Sequence, residues 1–188
     1  MKTMPEYHRR FMLSVTLAVL GFFNGPALAA SAQEIDRDAD AALANLYDSV
    51  PVAKKLASQA EGVLIFPSIV KAGLVIGGQY GKGVLRQKGK STGYFRSSAV
   101  SYGLQAGAQS FGYVLFLMTP DAIEYLDRSD GWEIGVGPSI VIVDEGLAKS
   151  LTTTTAKDDI YAIIFGQKGL MAGVGLQGSR IKKIHPDK

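Results

Sequence analysis

The sequence predicts a single α+β domain, with N-terminal helices and a curled antiparallel β-sheet or barrel-like core of glycine-containing strands. Apolar residues recur at helical spacing over residues 35–47, whereas from residue 62 onward they alternate with the period of two typical of strands. A pentapeptide with glycine at both ends occurs four times, beginning at Gly73, Gly103, Gly131 and Gly169. Many short strands with few helices favour an antiparallel α+β arrangement.

Residues 1–30 are expected to be a secretory signal peptide that is removed from the mature protein. The segment starts with basic residues, continues as an apolar run over residues 11–23, and ends at the small residues Ala27 and Ala29. We expect cleavage near Ala29 or Ala30 and a periplasmic or secreted protein. The pair Arg9-Arg10 leaves open whether export uses the general or the twin-arginine route. The chain has no cysteine, so it is expected to be neither disulfide-bonded nor a lipoprotein.

Residues 31–188 fit one domain, which is expected to start with two helices. Charged residues occupy one side of the first helix, and its inward positions are Ile35, Ala39, Ala42, Leu43, Leu46 and Tyr47. Pro51 opens the second helix, with Val52, Leu56 and Ala60 inward, and Gly62 is its predicted C-cap.

The remaining elements are predicted mainly as strands. Residues 63–66 form a buried strand that Pro67 is expected to stop, and residues 73–80 form the next. Residues 99–118 are long enough for two strands with a break near Ser110 or Gly112. Thr119 and Pro120 predict the start of a short helix near 120–128. Residues 132–143 are predicted to form a strand interrupted at Pro138, and residues 152–155 an edge or loop. The runs 161–165 and 170–179 close the sheet.

The repeated glycines allow two interpretations. In a strand, positions i and i+4 share a face, so each copy is expected to place two glycines on one face. Such a pattern indicates a tightly curved sheet, or a surface where a ligand or lipid approaches the bare backbone.

The residue inventory argues against catalysis and metal binding. His8 leaves with the signal peptide, so His185 is the one histidine of the mature chain. Because that histidine lies near the C-terminus, no Ser-His-Asp or Cys-His arrangement is expected around a buried histidine. With one histidine and no cysteine, an ordinary zinc site is not expected either. Residues 173–178 match G-x-G-x-x-G but do not open a helix and have no acidic residue about twenty positions on, which excludes a dinucleotide site. We therefore expect no enzyme activity, no cofactor and no metal.

The best candidate for a binding site is a basic interval. No acidic residue lies between Glu61 and Asp121, whereas the mature N-terminus is acidic. Cations attract anionic lipid, and aromatic side chains anchor at membrane interfaces; the alternative is a solvated loop. Nucleic acid would suit the same charges, but export argues against it. The candidate lipid-binding residues are Lys71, Lys82, Arg86, Lys88, Lys90, Tyr94, Phe95, Arg96, Arg180, Lys182 and Lys183.

Four blocks of the sequence resemble the SYLF-domain family: residues 71–85, 103–119, 131–139 and 165–181. The leading segment 42–67 fits as well, so the resemblance covers essentially the whole mature chain. It implies a lipid-binding domain, since eukaryotic members bind phosphoinositides, and some bind actin filaments and carry an SH3 domain. This chain has no SH3 segment, and export would separate it from actin and cytoplasmic phosphoinositides. Some relatives use a basic N-terminal helix on the membrane, whereas the helix here is acidic.

The leading hypothesis is a periplasmic or secreted protein that docks on anionic phospholipid through a basic hairpin end. The alternative is a non-enzymatic envelope module that binds a protein partner through a sheet edge. A hydrolase is disfavoured because a catalytic histidine or cysteine is lacking.

Overall fold

The computed structural model describes residues 31–73, 76–102, 107–128, 131–149, 157–169, 176 and 178–187. Its helices are α1 (Ala32–Ser49), α2 (Pro51–Gln59), α3 (Pro120–Leu126) and α4 (Glu145–Ala148). Its strands are β1 (Gly62–Gly73), β2 (Ile76–Gln87), β3 (Lys90–Tyr102), β4 (Gly107–Leu117), β5 (Trp132–Glu133), β6 (Ile140–Asp144), β7 (Ile160–Gly169) and β8 (Arg180–Ile184). The predicted α+β class and curled sheet are confirmed.

The eight strands form one sheet in the order β5-β8-β3-β2-β1-β4-β7-β6. Neighbouring strands are antiparallel except β6 and β7, which are parallel, so the sheet is mixed rather than wholly antiparallel. A parallel pair requires a crossover connection, because the second strand must start at the same end as the first. Here α4 lies within that connection.

Helix α1 begins where the predicted signal peptide ends. Ser31 accepts a hydrogen bond from the backbone of Glu34, whose side chain accepts one from the Ser31 N–H, which is a complete capping box. The predicted inward positions Ile35, Ala39 and Leu46 are buried. In α2 the buried residues are Ala53 and Leu56. The helix ends at Gln59 and its C-cap is Ala60, so the predicted C-cap at Gly62 is wrong.

Both faces of the sheet are covered, because successive side chains of a strand point to opposite sides. Val63 and Ile65 of β1 pack under α1 and α2, on the face that we call the helix side. Leu64 and Phe66 point to the other face, the inner side, where α3 and residues around Trp132 cover them. On that side Phe66 stacks on Tyr113, with ring centroids 4.7 Å apart. The central strands are therefore apolar on both faces, as the uninterrupted apolar run over residues 113–118 indicates.

Two predicted strand boundaries are wrong. Pro67 does not stop β1, which continues to Gly73 through an irregularity between Phe66 and Ile69 in its pairing with β4. A bulge absorbs the proline because no ladder hydrogen bond is needed from it there. The break expected near Ser110 or Gly112 is likewise only a register shift within β4. Strand β3 ends at Tyr102 and β4 begins at Gly107.

The short helix is confirmed, with its bounds at Pro120–Leu126. The Thr119 hydroxyl accepts a hydrogen bond from the Ala122 N–H, as expected of an N-cap. The predicted interruption of the 132–143 region is also confirmed, because β5 and β6 lie on either side of Pro138. The predictions for 152–155, and most of those for 170–179, fall outside the described residues.

The first glycine pentapeptide does not lie within one strand, contrary to the prediction, but connects the two strands of a hairpin. Gly73 ends β1 and Gly77 is its partner across the hairpin on β2. A Cβ built on Gly73 would lie 2.4 Å from the Gly77 Cα, too close for any side chain. The glycines therefore allow the two backbones to approach closely, which fits the curved-sheet interpretation.

No described helix is both long and apolar enough to cross a membrane.

Candidate lipid-binding surface

The predicted basic hairpin end exists, at the turn between β2 and β3. Lys88 and Gly89 form a two-residue turn with φ values of 51° and 75°, the geometry of the type I′ turns that suit twisted hairpins. Lys88 and Lys90 are exposed. The turn therefore presents two of the predicted cations to solvent.

Arg86, a third cation of this hairpin, is engaged by helix α1. Its guanidinium lies 2.9 Å from the Asp40 carboxylate and 3.4 Å from that of Asp36. Tyr94 is half-buried and donates a 2.8 Å hydrogen bond to Asp36; burial and then this contact raise the pKa of its phenol. Although the interval itself has no acidic residue, Arg86 is therefore neutralised by carboxylates from outside it. The acidic residues come from the helix, which is distant in sequence.

Three other predicted residues lie on the inner side of the sheet or in its core. Phe95 is fully buried in the inner core, so it is not an exposed interfacial anchor. Lys183 pairs with Phe95 across β8 and β3, and its ammonium lies 2.6 Å from Asp127. Lys71 lies beside Gln79 of β2 and Gln109 of β4.

The remaining cations form a row across three strands on the helix side. Lys82 of β2 is the register partner of Arg96 of β3, which is the partner of Lys182 of β8. All three share the side of Val84, because each lies an even number of residues from a helix-side position. Neighbouring strands are about 4.8 Å apart, so the row spans roughly 10 Å. Within the described part of the chain, no carboxylate forms an ion pair with these three residues.

Arg180 lies on the same side but is partly neutralised. It is the register partner of Glu133 on the edge strand β5, and its guanidinium lies 3.5 Å from the Glu133 carboxylate. Both side chains are about half exposed, so this pair contributes little to stability. Arg180 therefore borders the row without adding a full free charge to it.

Exposed apolar side chains continue this surface beyond the cations. Val70 and Tyr80 are register partners on β1 and β2, while Ile76 and Val100 lie further along the same side. Their exposed fractions lie between 49% and 67%, and they are among the most exposed large apolar residues described. The part of the helix side that α1 and α2 cover includes Val84 of β2 and Phe165 of β7. The exposed residues lie further toward the other end of the strands. We call the uncovered surface the open face; its members are Val70, Ile76, Tyr80, Lys82, Arg96, Val100 and Lys182.

Sequence reasoning missed most apolar members of the open face. The signal was present, since Ile76, Tyr80 and Lys82 have the same parity along β2, as Arg96 and Val100 do along β3. The pattern could not show where the helices stop covering the sheet. It also could not bring Lys182 beside Arg96, which lies 86 residues earlier and joins it only through strand pairing.

A cleft of about 500 Å³ opens elsewhere on the molecule, between α1 and the irregular parts of β1, β4 and β7. Its polar lining residues include Asp38, Asn45, Ser68, Glu145 and Lys168. Across the part of the chain that the structure describes, no three histidine, cysteine, aspartate or glutamate side chains are grouped to hold a metal ion.

The comparison with known families agrees with the sequence resemblance. Residues 98–185 match the family model Ysc84, described as "Las17-binding protein actin regulator". The match runs from within β3 to β8 and confirms the resemblance to the SYLF-domain family. It includes Val100 and Lys182 of the open face. No curated protein matches the sequence significantly.

Proposed function

Because the chain resembles the SYLF-domain family, we propose that it is an exported, non-enzymatic lipid-binding protein that docks on anionic phospholipid. The proposal keeps the periplasmic or secreted location expected from residues 1–30. It moves the centre of the docking surface from the hairpin turn to the open face. The single observation that supports this choice is the row Lys82, Arg96 and Lys182, which lies next to exposed apolar side chains.

The row costs stability in the isolated protein. Like charges directly opposite one another on neighbouring strands repel, and no described carboxylate pairs with these three. An anionic surface would relieve this repulsion. Near an anionic membrane each cation contributes about 1 kcal/mol, so the three together supply roughly 3 kcal/mol, or on the order of a hundredfold in affinity.

The apolar side chains supply a second contribution. Tyr80 has an apolar ring and a polar hydroxyl, a combination suited to the boundary between lipid and water. Val70, Ile76 and Val100 add exposed apolar area that a bilayer interface can bury. The mixed surface therefore favours a membrane over a purely polar ligand.

The test is sedimentation of the mature protein with vesicles that contain phosphatidylglycerol, or with neutral phosphatidylcholine vesicles. A triple variant that changes Lys82, Arg96 and Lys182 to Gln should lose about a hundredfold in affinity for the anionic vesicles. The matched control changes the exposed helix and loop residues Lys54, Lys55 and Lys149 to Gln, which removes the same net charge. The control should bind as the parent does.

Binding of the parent should also weaken from 0.1 M to 1 M salt, because the Debye length falls from about 10 Å to about 3 Å. A third variant, Lys88→Gln with Lys90→Gln, measures what the hairpin turn contributes. If both triple variants bind equally well, the open face is not the docking site. If the parent binds no anionic vesicles at all, the proposed function is wrong.

An edge strand supports the alternative, a protein partner in the envelope. Strand β6 terminates the sheet, and no described strand pairs with its outer side. Exposed edges are templates for strand addition by another chain. This alternative would be favoured if the protein binds an envelope protein in the absence of lipid, and if both triple variants bind that protein as the parent does.

A further inference from the structure

The inner side of the sheet carries a second polar cluster that the docking surface does not use. Three strands contribute one residue each: Gln79 from β2, Lys71 from β1 and Gln109 from β4. They are direct register partners, so their side chains are neighbours on one face. Just before them on that face lies the apolar core, at Ile69 and Phe111. Polar side chains at the border of an apolar core are costly to bury unless they have hydrogen-bond partners.

Gln109 gives the first indication of a ligand. The residue is only 6% exposed, yet its side-chain nitrogen Nε2 has no hydrogen-bond partner. A buried amide donor without a partner destabilises a fold, and such groups are rare. By contrast, the equally buried Gln79 donates a 2.7 Å hydrogen bond from its Nε2 to the Ser179 hydroxyl. The two glutamines flank Lys71, and the side-chain nitrogen of Gln109 is the one without a hydrogen-bond partner.

Lys71 gives the second indication. It is partly buried between the two glutamines, and no ion pair to it occurs within the described part of the chain. A lysine ammonium has three donors and no acceptor. Together with the free donor of Gln109, it presents positive charge and N–H groups to the same small region. The ligand that matches such a set is a compact group with several acceptor oxygens and negative charge.

Beyond the row, the next inward-facing positions on these three strands are glycines. Gly73, Gly77 and Gly107 are register partners on β1, β2 and β4, and Ser101 of β3 lies across from Gly77 on the same face. Among the described residues, the three strands therefore add no side chain of their own on this face beyond the row. The glycines let their backbones pack closely, which fits the curved-sheet interpretation.

We propose that Lys71 and Gln109, with Gln79 held by Ser179, form a binding site for a single compact oxyanion such as a phosphate group. The site lies on the opposite side of the sheet from the open face, and it does not depend on membrane docking. The oxyanion is either free in solution or carried by a lipid headgroup. Lys71 supplies the charge, Gln109 donates a hydrogen bond, and Gln79 forms the opposite wall.

The experiment measures the thermal midpoint of the mature protein with inorganic phosphate, with dihexanoyl phosphatidylglycerol as monomers, and with chloride at matched ionic strength. A bound ligand at about five times its Kd should raise the midpoint by about 2–4 °C. Lys71→Met and Gln109→Leu should abolish the rise. Gln109→Leu should also leave the ligand-free midpoint unchanged or higher, because it removes a donor that has no partner.

Two matched controls separate this site from the docking surface. Lys168→Met removes an exposed lysine from the helix side, and the triple variant of the open face removes the cations Lys82, Arg96 and Lys182. In both variants the probe should still raise the thermal midpoint. A rise with both probes assigns the site to free phosphate, and a rise with the lipid alone assigns it to a headgroup. The proposal is overturned if neither probe exceeds chloride, or if Lys71→Met and Gln109→Leu respond as the parent does.

Discussion

The guanidinium of Arg86 lies 2.9 Å from the Asp40 carboxylate, and this contact joins the acidic helix α1 to the second strand of the sheet. Asp36, one turn earlier, takes part in the same network. Its carboxylate accepts hydrogen bonds from the Ser91 hydroxyl at 2.7 Å and from the Tyr94 hydroxyl at 2.8 Å. The acidic N-terminus therefore holds the hairpin against the helix, and it removes Arg86 from the cations available to a membrane.

The Asp36 network predicts a stability difference between neighbouring acidic residues. Asp36→Ala should lower the free energy of unfolding by about 1–3 kcal/mol, because three donors lose a shared acceptor in a partly buried site. Asp38→Ala is the control, since among the described residues Asp38 forms an ion pair only with the exposed Arg37 beside it, and such pairs contribute about 0–1 kcal/mol. Urea denaturation measures both. Equal losses would contradict the assigned role of Asp36.

The close packing of β1 and β2 predicts that two nearby glycines differ in tolerance. A Cβ at Gly83 would lie 2.7 Å from the Phe66 ring and even closer to the Ile65 carbonyl oxygen. Gly83→Ala should therefore destabilise the fold by about 1–3 kcal/mol. Gly78→Ala, on the same strand, would meet only the Ala99 carbonyl oxygen at 3.8 Å, and it should be nearly neutral.

Thermal midpoints of the two alanine variants decide this prediction. Gly107→Val should also be poorly tolerated, since φ at Gly107 is 143°, a value that β-branched residues rarely adopt. Matching midpoints for Gly83→Ala and Gly78→Ala would show that the strands can separate without cost. Gly173, at the same position of the last pentapeptide, is also expected to tolerate valine poorly, but it lies outside the described residues.

Asp159 predicts a pH dependence of stability. The Ser139 backbone N–H and hydroxyl each donate a 2.9 Å hydrogen bond to its carboxylate, and the Thr119 hydroxyl adds one at 3.3 Å. These bonds lower the pKa of Asp159 in the folded state. The ionised carboxylate therefore stabilises the fold above the unfolded-state pKa of about 3.9, and this contribution is lost as the pH falls through the lower folded-state value.

Asp159→Asn should accordingly make the unfolding free energy less dependent on pH below about pH 4. Urea unfolding at several pH values between 2 and 7 checks this. A parent and an Asp159→Asn variant with parallel pH curves would rule out this linkage.

The position of the first helix is consistent with cleavage of the signal peptide near Ala29 or Ala30. Ser31 caps α1 through both its hydroxyl and its backbone N–H, so a chain that begins at Ala30 or Ser31 keeps the complete cap. Intact mass of the exported protein should therefore correspond to cleavage after Ala29 or Ala30. A mass that includes residues 1–30 would contradict the predicted cleavage and the proposed location.

Local patterns in the sequence determined the elements and the fold class. Helical spacing predicted α1 and its buried residues, and Thr119 and Pro120 predicted the start of α3. Alternation predicted the strands, and the continuous apolar run over residues 113–118 indicates a strand buried on both faces. Each of these follows from side-chain direction and backbone preference over a few residues. Proline at position 67 gave a wrong boundary, because pairing on both sides of β1 holds the strand through its bulge.

Only the tertiary structure decided which charges are free. Lys82 and Arg86 look alike in a basic interval, yet α1 pairs with Arg86, while Lys82 joins Arg96 and Lys182 on the open face. Asp40 lies 46 residues before Arg86, and Lys182 lies 86 residues after Arg96. Strand order and helix placement alone bring these residues together. Electrostatic interactions depend on distances of a few ångströms, so the sequence determined the number of charges and the fold determined their roles.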